Sequence, residues 1–165
     1  MMQQHFTTFA HYNRWANRRL YAAAAALPDT DYRADKGAFF GSLHGTLNHI
    51  LVADRIWLKR ITGEGDPPNR LDTILHEDLA TLTEAREAED ERIIAVVAGT
   101  DEAALRRALS YKTTSGAPSA QPLAQVLAHF FNHQTHHRGQ AHGILSSLGK
   151  DPPPLDLLYF LRETA

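Results

Sequence analysis

The segment LAQVLAHFFNHQTHHRGQAHGIL, residues 123–145, decides the fold that the sequence predicts. Its apolar residues recur at the spacing that places them on one face of an α-helix. They are Leu123, Val126, Leu127, Phe130, Ala141, Ile144 and Leu145. Pro122 suits the first turn of a helix, and Gly149 suits the position just after its end. The segment therefore predicts a long amphipathic helix over Pro122–Leu148.

Three further segments of similar length carry the same helical pattern. Proline, glycine and aspartate punctuate the chain between them. The predicted helices are Gln3–Leu27, Ser42–Ile61 and Asp72–Ala98. Charged residues crowd the middle of the third helix, from Glu84 to Arg92, and we expect most of them to form a solvated face. Long amphipathic helices joined by short or medium loops predict an all-α fold, a four-helix bundle.

Two smaller elements complete the predicted fold. Leu109, Tyr111 and Thr113 alternate with polar residues, and Ser115–Pro118 favours a turn, so we expect a small β-hairpin before the fourth long helix. A short C-terminal helix is predicted over Leu155–Glu163. The chain has 165 residues, which is enough for one hydrophobic core, and we expect a single domain over 1–165.

Composition narrows the classes of function. Lys and Arg number 17 and Asp and Glu number 19, so the net charge of −2 argues against nucleic-acid binding through a broad basic face. The absence of cysteine excludes disulfides, thiolate nucleophiles and cysteine-based metal sites. No apolar stretch fits a signal peptide or a membrane span. We expect a cytoplasmic protein that does not insert into a membrane.

The chain has 10 histidines, and their spacing in the fourth helix is informative. His133 and His137 are four residues apart and fall on or beside the face that should be buried. Two imidazoles in this arrangement can chelate one divalent cation. Each ring could equally hydrogen-bond a carboxylate or a carbonyl in the core, so the pair alone leaves both interpretations open. Residues His129, His136 and His142 lie further from the centre of that face and are interpreted as exposed or rim residues.

A metal site in a bundle needs a further ligand from a facing helix. His49 flanks the apolar stripe of the second helix, where a hydrogen-bonded core histidine is the commoner case. The remaining histidines near helix starts or beside core anchors are expected at the surface. They are His5, His11 and His44.

Three segments resemble the DinB family of small bacterial four-helix-bundle proteins. They are HYNRWANRRLY (11–21), GSLHGTLNHILVADRIWL (41–58) and FNHQTHHRGQAHGIL (131–145), and their order spans nearly the whole chain. In that family one histidine of the second helix and a His-x-x-x-His pair of the fourth bind a divalent metal. The resemblance assigns these roles here to His49, His133 and His137.

The resemblance also implies the chemistry. The metal would be nickel or zinc, and Fe, Co or Mn are also compatible with imidazole ligands. Three protein ligands leave coordination positions for water or a substrate. Characterised members of the wider superfamily are often metal-dependent transferases that act with low-molecular-weight thiols. The resemblance therefore implies a metal-dependent enzyme with a small-molecule substrate, a thiol-dependent S-transferase or a related hydrolase. The alternative is a non-catalytic metal-binding protein that serves as an interaction scaffold in a stress response.

Catalytic residues are less well defined by the sequence. Asp54 lies on an apolar stripe, which suits either a residue that orients a substrate or a buried ion pair with Arg138 or Arg14. Asn13 could bind substrate or tie helices together, and Gln140 could line the site or be structural. An outward Trp15 hints at a homodimer, a state frequent among the proteins that this chain resembles.

Overall fold

The computed structural model describes residues 1–165 and confirms the helical architecture. The elements are α1 (Met2–Ala25), α2 (Asp29–Arg33), α3 (Leu43–Thr62), α4 (Leu79–Ala98), α5 (Glu102–Arg106), β1 (Ala108–Lys112), β2 (Pro118–Pro122), α6 (Leu123–Ser147) and α7 (Leu157–Glu163). The four long helices are α1, α3, α4 and α6. Helix α1 packs against α4 and α6, and α3 packs against the same two helices. This arrangement is the predicted four-helix bundle. None of its helices combines the length and apolar character needed to span a membrane.

The ends of α3 follow from local chemistry. The Ser42 hydroxyl accepts a hydrogen bond from the Gly45 amide at 3.1 Å, which is the predicted N-cap. At the other end Gly63 has φ of 79°, a left-handed conformation that glycine adopts without steric cost. These two residues fix the length of the helix that carries His49.

Helix α4 begins later than the sequence predicts. The prediction of a helix from Asp72 is wrong, because residues 72–77 belong to a loop that follows α3. The Asp78 carboxylate accepts hydrogen bonds from the amides of Ala80 and Thr81 at 2.9 and 3.1 Å, and it thereby sets the helix start. The residues before it are held by α3 instead, as described with the site below.

The hairpin and the C-terminal helix are present as predicted. Strands β1 and β2 are antiparallel, and Tyr111 lies opposite Ser119. Helix α7 packs on α1, where the Phe160 ring contacts the Trp15 ring at a centroid distance of 5.9 Å. The indole Nε1 of Trp15 donates to Glu163 at 2.8 Å. Trp15 is therefore partly covered by α7 rather than pointing freely outward.

Two apolar clusters form the core, one towards each end of the bundle. The first cluster is Leu20, Tyr21, Ala24, Tyr32, Leu43, Leu47, Ile50, Leu51, Leu82, Ala141, Ile144 and Leu145. The second cluster is Phe6, Ala10, Leu58, Ile93, Val97, Leu105, Leu127, Phe130 and Phe131. Along every long helix, buried polar residues separate the two clusters. We call them the polar layer, and they are Asn13, Asn17, Asp54, Arg86, Asp90, Gln134 and Arg138.

Arg86 is the centre of the polar layer. Its guanidinium donates to Asp54 at 2.5 Å and forms an ion pair with Asp90 at 3.1 Å, and all three side chains are almost fully buried. The expectation of a solvated charged face on this helix is therefore wrong at Arg86, Glu89 and Asp90, which are buried. These charges lie inside because they find partners on the facing helices.

Candidate metal centre

Three histidine side chains converge between α3 and α6. His49 lies on α3, while His133 and His137 lie one turn apart on α6. One ring nitrogen from each residue lies within 4.8 Å of the others. His49 and His137 are buried and His133 is half-buried, so the cluster forms a recessed group that could hold a metal ion.

Two contacts fix the orientation of His49, one at an edge of its ring and one on a face. The Nδ1–H group donates to the backbone carbonyl of Leu71 at 2.8 Å, which leaves Nε2 with its lone pair. The Phe40 ring stacks on the imidazole, with 3.7 Å between centroids and 17° between planes. A histidine held in this way by a carbonyl is a common arrangement at metal sites.

His137 is oriented in the same manner. Its Nδ1–H group donates to the amide oxygen of Gln140 at 2.7 Å, so its Nε2 also carries a lone pair. The two Nε2 atoms of His49 and His137 are 3.2 Å apart. Two lone pairs at this distance repel, whereas two nitrogens of a tetrahedral zinc site lie about 3.3 Å apart, given zinc–nitrogen bonds of about 2.0–2.1 Å. The donor set therefore fits a divalent cation.

The protonation states also suit a metal. Burial lowers the pKa of His49 to about 4 and the pKa of His133 to about 3. Burial also lowers the pKa of His137. At neutral pH all three rings are therefore uncharged, which is the form that binds a metal.

A loop and a glycine support the site. The Asn48 amide oxygen accepts hydrogen bonds from the backbone amides of Leu75 and His76 at 2.8 and 3.0 Å. These contacts hold the loop that carries the Leu71 carbonyl against α3. A Cβ atom at Gly45 would lie 2.2 Å from the Phe40 carbonyl oxygen, so only glycine allows Phe40 to approach α3 this closely.

The sequence did not reveal these supporting residues. Asn48 was visible as a polar residue in an apolar helix beside His49, and this was the one available signal. Phe40 and Leu71 reach the site from loops, and no periodic pattern marks residues in loops.

A larger concave surface lies away from the histidine cluster. A groove of about 800 Å³ between α1 and α7 includes Trp15 and Arg19 but none of the three histidines. A smaller cavity of about 250 Å³ has His133 and His129 in its wall. Proximity to the histidine cluster makes the smaller cavity the better candidate for a substrate pocket.

The suggested catalytic residues are found in two different places. Asp54 forms a buried ion pair, as one of the two interpretations expects, but its partner is Arg86 and not Arg138 or Arg14. It also accepts a hydrogen bond from Gln134 at 2.9 Å. Burial raises the pKa of the Asp54 carboxyl to about 6. None of its hydrogen bonds reaches the histidine cluster.

Asn13 and Gln140 have different surroundings. Asn13 donates to Asp90 at 3.0 Å and accepts from Arg138, and it ties α1 to α4 and α6 within the polar layer. Gln140 touches the candidate metal centre through His137. We therefore describe Gln140 as a residue that positions a histidine.

The other histidines lie outside the cluster. His129 and His136 are exposed and His142 is half-buried, in agreement with the sequence-based interpretation. His44 was expected at the surface, and this expectation is wrong. Its ring is buried against Tyr32, and its Nε2 lies 3.2 Å from the carbonyl oxygen of His76.

Comparisons with known proteins agree with the fold. The model of the DinB family matches residues 2–164. A crystal structure of a DinB-like protein from Bacillus cereus ATCC 10987 superposes with a TM-score of 0.71 at 18% identity, covering 93% of this chain and 99% of that chain. This likeness shows the shared fold. A search of curated proteins found no significant match.

Proposed function

The chain belongs to the DinB family, and from this premise we propose that it is a metal-dependent enzyme. In this proposal His49, His133 and His137 hold one divalent metal ion and leave coordination positions open for a substrate. The observation that carries the proposal is the distance of 3.2 Å between the Nε2 atoms of His49 and His137. Both rings donate their Nδ1–H groups elsewhere, to Leu71 and Gln140, so both Nε2 atoms carry lone pairs.

The chemistry of the donors favours nickel or zinc. Three neutral imidazoles form a site of intermediate softness, which also accepts Fe, Co or Mn. When bound, such an ion would act as a Lewis acid that lowers the pKa of a thiol or a water molecule. The protein residues supply the remaining functions. Leu71, Phe40 and Gln140 keep two of the rings in place.

We propose a thiol-dependent S-transferase or a related hydrolase as the reaction class. The chain has no cysteine, so a low-molecular-weight thiol would bring the nucleophilic sulfur. The sulfur would form a bond to an electrophilic carbon of a small molecule. The leaving group would depart with the electron pair of the broken bond, and the thiol proton would pass to solvent. The cavity beside His133 provides space for such a small molecule.

The proposal includes a single domain, a cytoplasmic location and a homodimer. The location rests on the cysteine-free composition and the dimer on the family resemblance. The partial cover of Trp15 by α7 weakens the original argument for a dimer from that side chain. Light scattering of the purified protein would measure the oligomeric state directly.

Metal analysis and calorimetry test the site. We expect about one zinc or nickel ion per chain, and losses of affinity of at least about 100-fold in His49→Ala and His133→Ala. His142→Ala is the matched control, because this half-buried histidine lies on the same helix outside the cluster. Zinc at about 100 times its Kd should stabilise the wild type by about 2.7 kcal/mol, which is about 5–11 °C in Tm. Equal zinc affinity in the wild type and His133→Ala would contradict the site.

An activity assay tests the enzyme proposal. The metal-loaded protein is incubated with glutathione or another small thiol and an aryl halide, and thioether formation is measured. A rate that depends on His133 supports the transferase. A metal-loaded protein with no His133-dependent turnover of thiol, ester or amide substrates would favour the non-catalytic alternative.

A further inference from the structure

A cavity of about 250 Å³ lies between α3, the hairpin and α6. His133 of the candidate metal centre forms part of its wall, and Trp57 and Tyr111 supply aromatic faces. Arg60 is the one Lys or Arg residue in the lining. The cavity therefore combines apolar and aromatic side chains with a single guanidinium, two threonines, His129 and one of the three clustered histidines.

Among the buried and half-buried arginines, Arg60 alone has neither a carboxylate partner nor a hydrogen-bond acceptor. Arg138 also lacks an ion pair, but it donates to Asn13. Arg86, Arg14 and Arg92 all form ion pairs with carboxylates, whereas the guanidinium of Arg60 has no carboxylate within salt-bridge distance and no hydrogen-bond acceptor. It lies instead over the rings of Trp57 and Tyr111, at 4.5 and 5.1 Å from their centroids. Its hydrogen-bond donors are therefore free.

The guanidinium of Arg60 is partly buried, and a partly buried charge without a partner favours the binding of an anion. Burial lowers the pKa of Arg60, yet an arginine remains charged at neutral pH. A charge that is partly removed from water and has no counter-ion destabilises its surroundings, and a bound anion would compensate for it. The two aromatic rings hold the guanidinium in one position, so little conformational freedom would be lost when an anion binds.

The position of Arg60 relative to the histidines is set by α3. His49 and Arg60 are eleven residues apart, about three helical turns, and so they lie on the same face of the helix. The rise of an α-helix places their Cα atoms about 16 Å apart along the axis. A molecule in the cavity would have one end near His133 and a different part near Arg60.

We propose that this cavity is the substrate pocket and that Arg60 binds a carboxylate group of the substrate, remote from the atoms that react at the histidine cluster. The inference rests on the proposed function for the role of that cluster. A carboxylate matches the charge of one guanidinium and its forked geometry. A phosphate dianion would need a second cation next to Arg60, and the lining has no other Lys or Arg. The aromatic walls would contact the apolar part of the molecule.

Benzoate is a suitable probe, because it joins a carboxylate to an aromatic ring. Its binding is measured by isothermal titration calorimetry with the wild type, Arg60→Met and Arg60→Lys, each with and without zinc. We expect Arg60→Met to bind benzoate about tenfold or more weakly, since a hydrogen bond to a charged group is lost. Arg60→Lys should recover part of the affinity. Benzamide should bind the wild type as weakly as benzoate binds Arg60→Met.

Lys112→Met is the matched control. Lys112 is exposed and follows Tyr111 on the same strand, and alternation along the strand directs it away from the cavity. This variant removes one positive charge near the cavity and should leave benzoate binding unchanged. Thermal unfolding of Arg60→Met shows whether the variant remains folded. Arg60→Met should also lose the preference of the wild type for benzoate over benzamide, and the loss of a purely structural arginine would not produce this change.

The outcomes separate this inference from the proposed function. The inference would be overturned if the wild type and Arg60→Met bound benzoate with equal affinity. It would also be overturned if the wild type bound no benzoate either with or without zinc. Benzoate binding that needs zinc and ignores Arg60 would place the carboxylate at the metal and would also overturn it. Tighter binding of inorganic phosphate than of benzoate would exclude the carboxylate assignment. Failure of zinc binding alone would refute the proposed metal site and leave an Arg60-dependent anion pocket intact.

Discussion

Replacement of Arg86 by methionine tests the polar layer most directly. The guanidinium is almost fully buried and lies 2.5 Å from Asp54 and 3.1 Å from Asp90. Each charge pair is worth about 4 kcal/mol at a separation of 4 Å and an effective dielectric constant of 20. Much of this attraction is offset by the cost of burying the guanidinium. Methionine has a similar length, so Arg86→Met leaves two buried carboxylates without their cation and creates little empty space.

We expect the net loss of stability to be about 3–5 kcal/mol, the range observed when one partner of a buried ion pair is removed. For a chain of this length the loss corresponds to about 6–20 °C in Tm. The measurement is thermal unfolding at neutral pH, monitored by far-UV circular dichroism. Arg18→Met is the control, because Arg18 is exposed and lies 4.0 Å from an equally exposed Glu87. This surface pair should contribute at most about 1 kcal/mol.

The pH dependence gives a second, independent check. Burial raises the pKa of Asp54 to about 6 and also raises the pKa of Asp90 in the folded protein. Loss of Arg86 removes the attraction that opposes this shift, so both folded-state values rise further above the unfolded value of about 3.9. A carboxyl group whose pKa is higher in the folded than in the unfolded state contributes stability that is fully present when the pH lies below the unfolded-state pKa. This contribution is lost as the pH rises through the folded-state pKa.

The deficit of Arg86→Met relative to the wild type should therefore be large at pH 7.5 and should shrink towards pH 5. A deficit below about 1 kcal/mol at neutral pH, or one that is constant over this range, would refute the assignment of a buried charge network.

Three further substitutions, with Gly139→Ala as a comparison for the first, probe the support of the candidate metal centre. Gly45→Ala should lower the free energy of unfolding by about 1–3 kcal/mol, because the new Cβ would meet the Phe40 carbonyl. Gly139→Ala should instead raise it by about 0.5–1 kcal/mol, because a Cβ there meets nothing within 4 Å. Thermal unfolding compares the two variants. Gln140→Ala should weaken zinc binding about 10-fold in calorimetry with little change in Tm, and unchanged affinity would contradict its positioning role. Gln134→Leu should lower zinc affinity by a similar factor, because it removes the bond from α6 to Asp54. Zinc affinity equal to that of the wild type would contradict this link.

Sequence periodicity predicts the helices well and places the pair on α6 correctly. His133 and His137 could be assigned to the edge of a buried face because helical geometry relates positions four residues apart without reference to the rest of the fold. His49 could not be selected on the same ground. Its role depends on which helix faces α6, and that information came from the resemblance to a family.

Periodicity fails where long-range hydrogen bonds decide the structure. The residues from Asp72 to Asp78 carry a helical pattern, yet Asn48 binds the amides of Leu75 and His76 and keeps this segment as a loop. The same loop supplies the carbonyl that orients His49. A pattern within the segment contains no information about a side chain on another helix.

The charged stretch of α4 illustrates a related limit. A run rich in Glu, Asp and Arg normally forms a solvated face, and Glu84, Glu87 and Glu91 are indeed exposed. Arg86 and Asp90 are four residues apart on the other side of the helix, and both are buried. Their burial depends on Asp54 and on the asparagines of α1, and composition alone cannot reveal partners that are distant in sequence.

The polar layer and the candidate metal centre lie at the same level of the bundle, and this coincidence has a physical reason. Gln134 and Arg138 each directly follow a histidine of the pair on α6, so they point about 100° away around the helix. When Gln134 donates to Asp54 and Arg138 donates to Asn13, the rotation of α6 is fixed, and His133 and His137 then face His49. An apolar stripe alone would tolerate a shift of one turn, about 5.4 Å, which would separate the rings. The buried charges cost stability, and their hydrogen bonds secure the register that the histidine cluster requires.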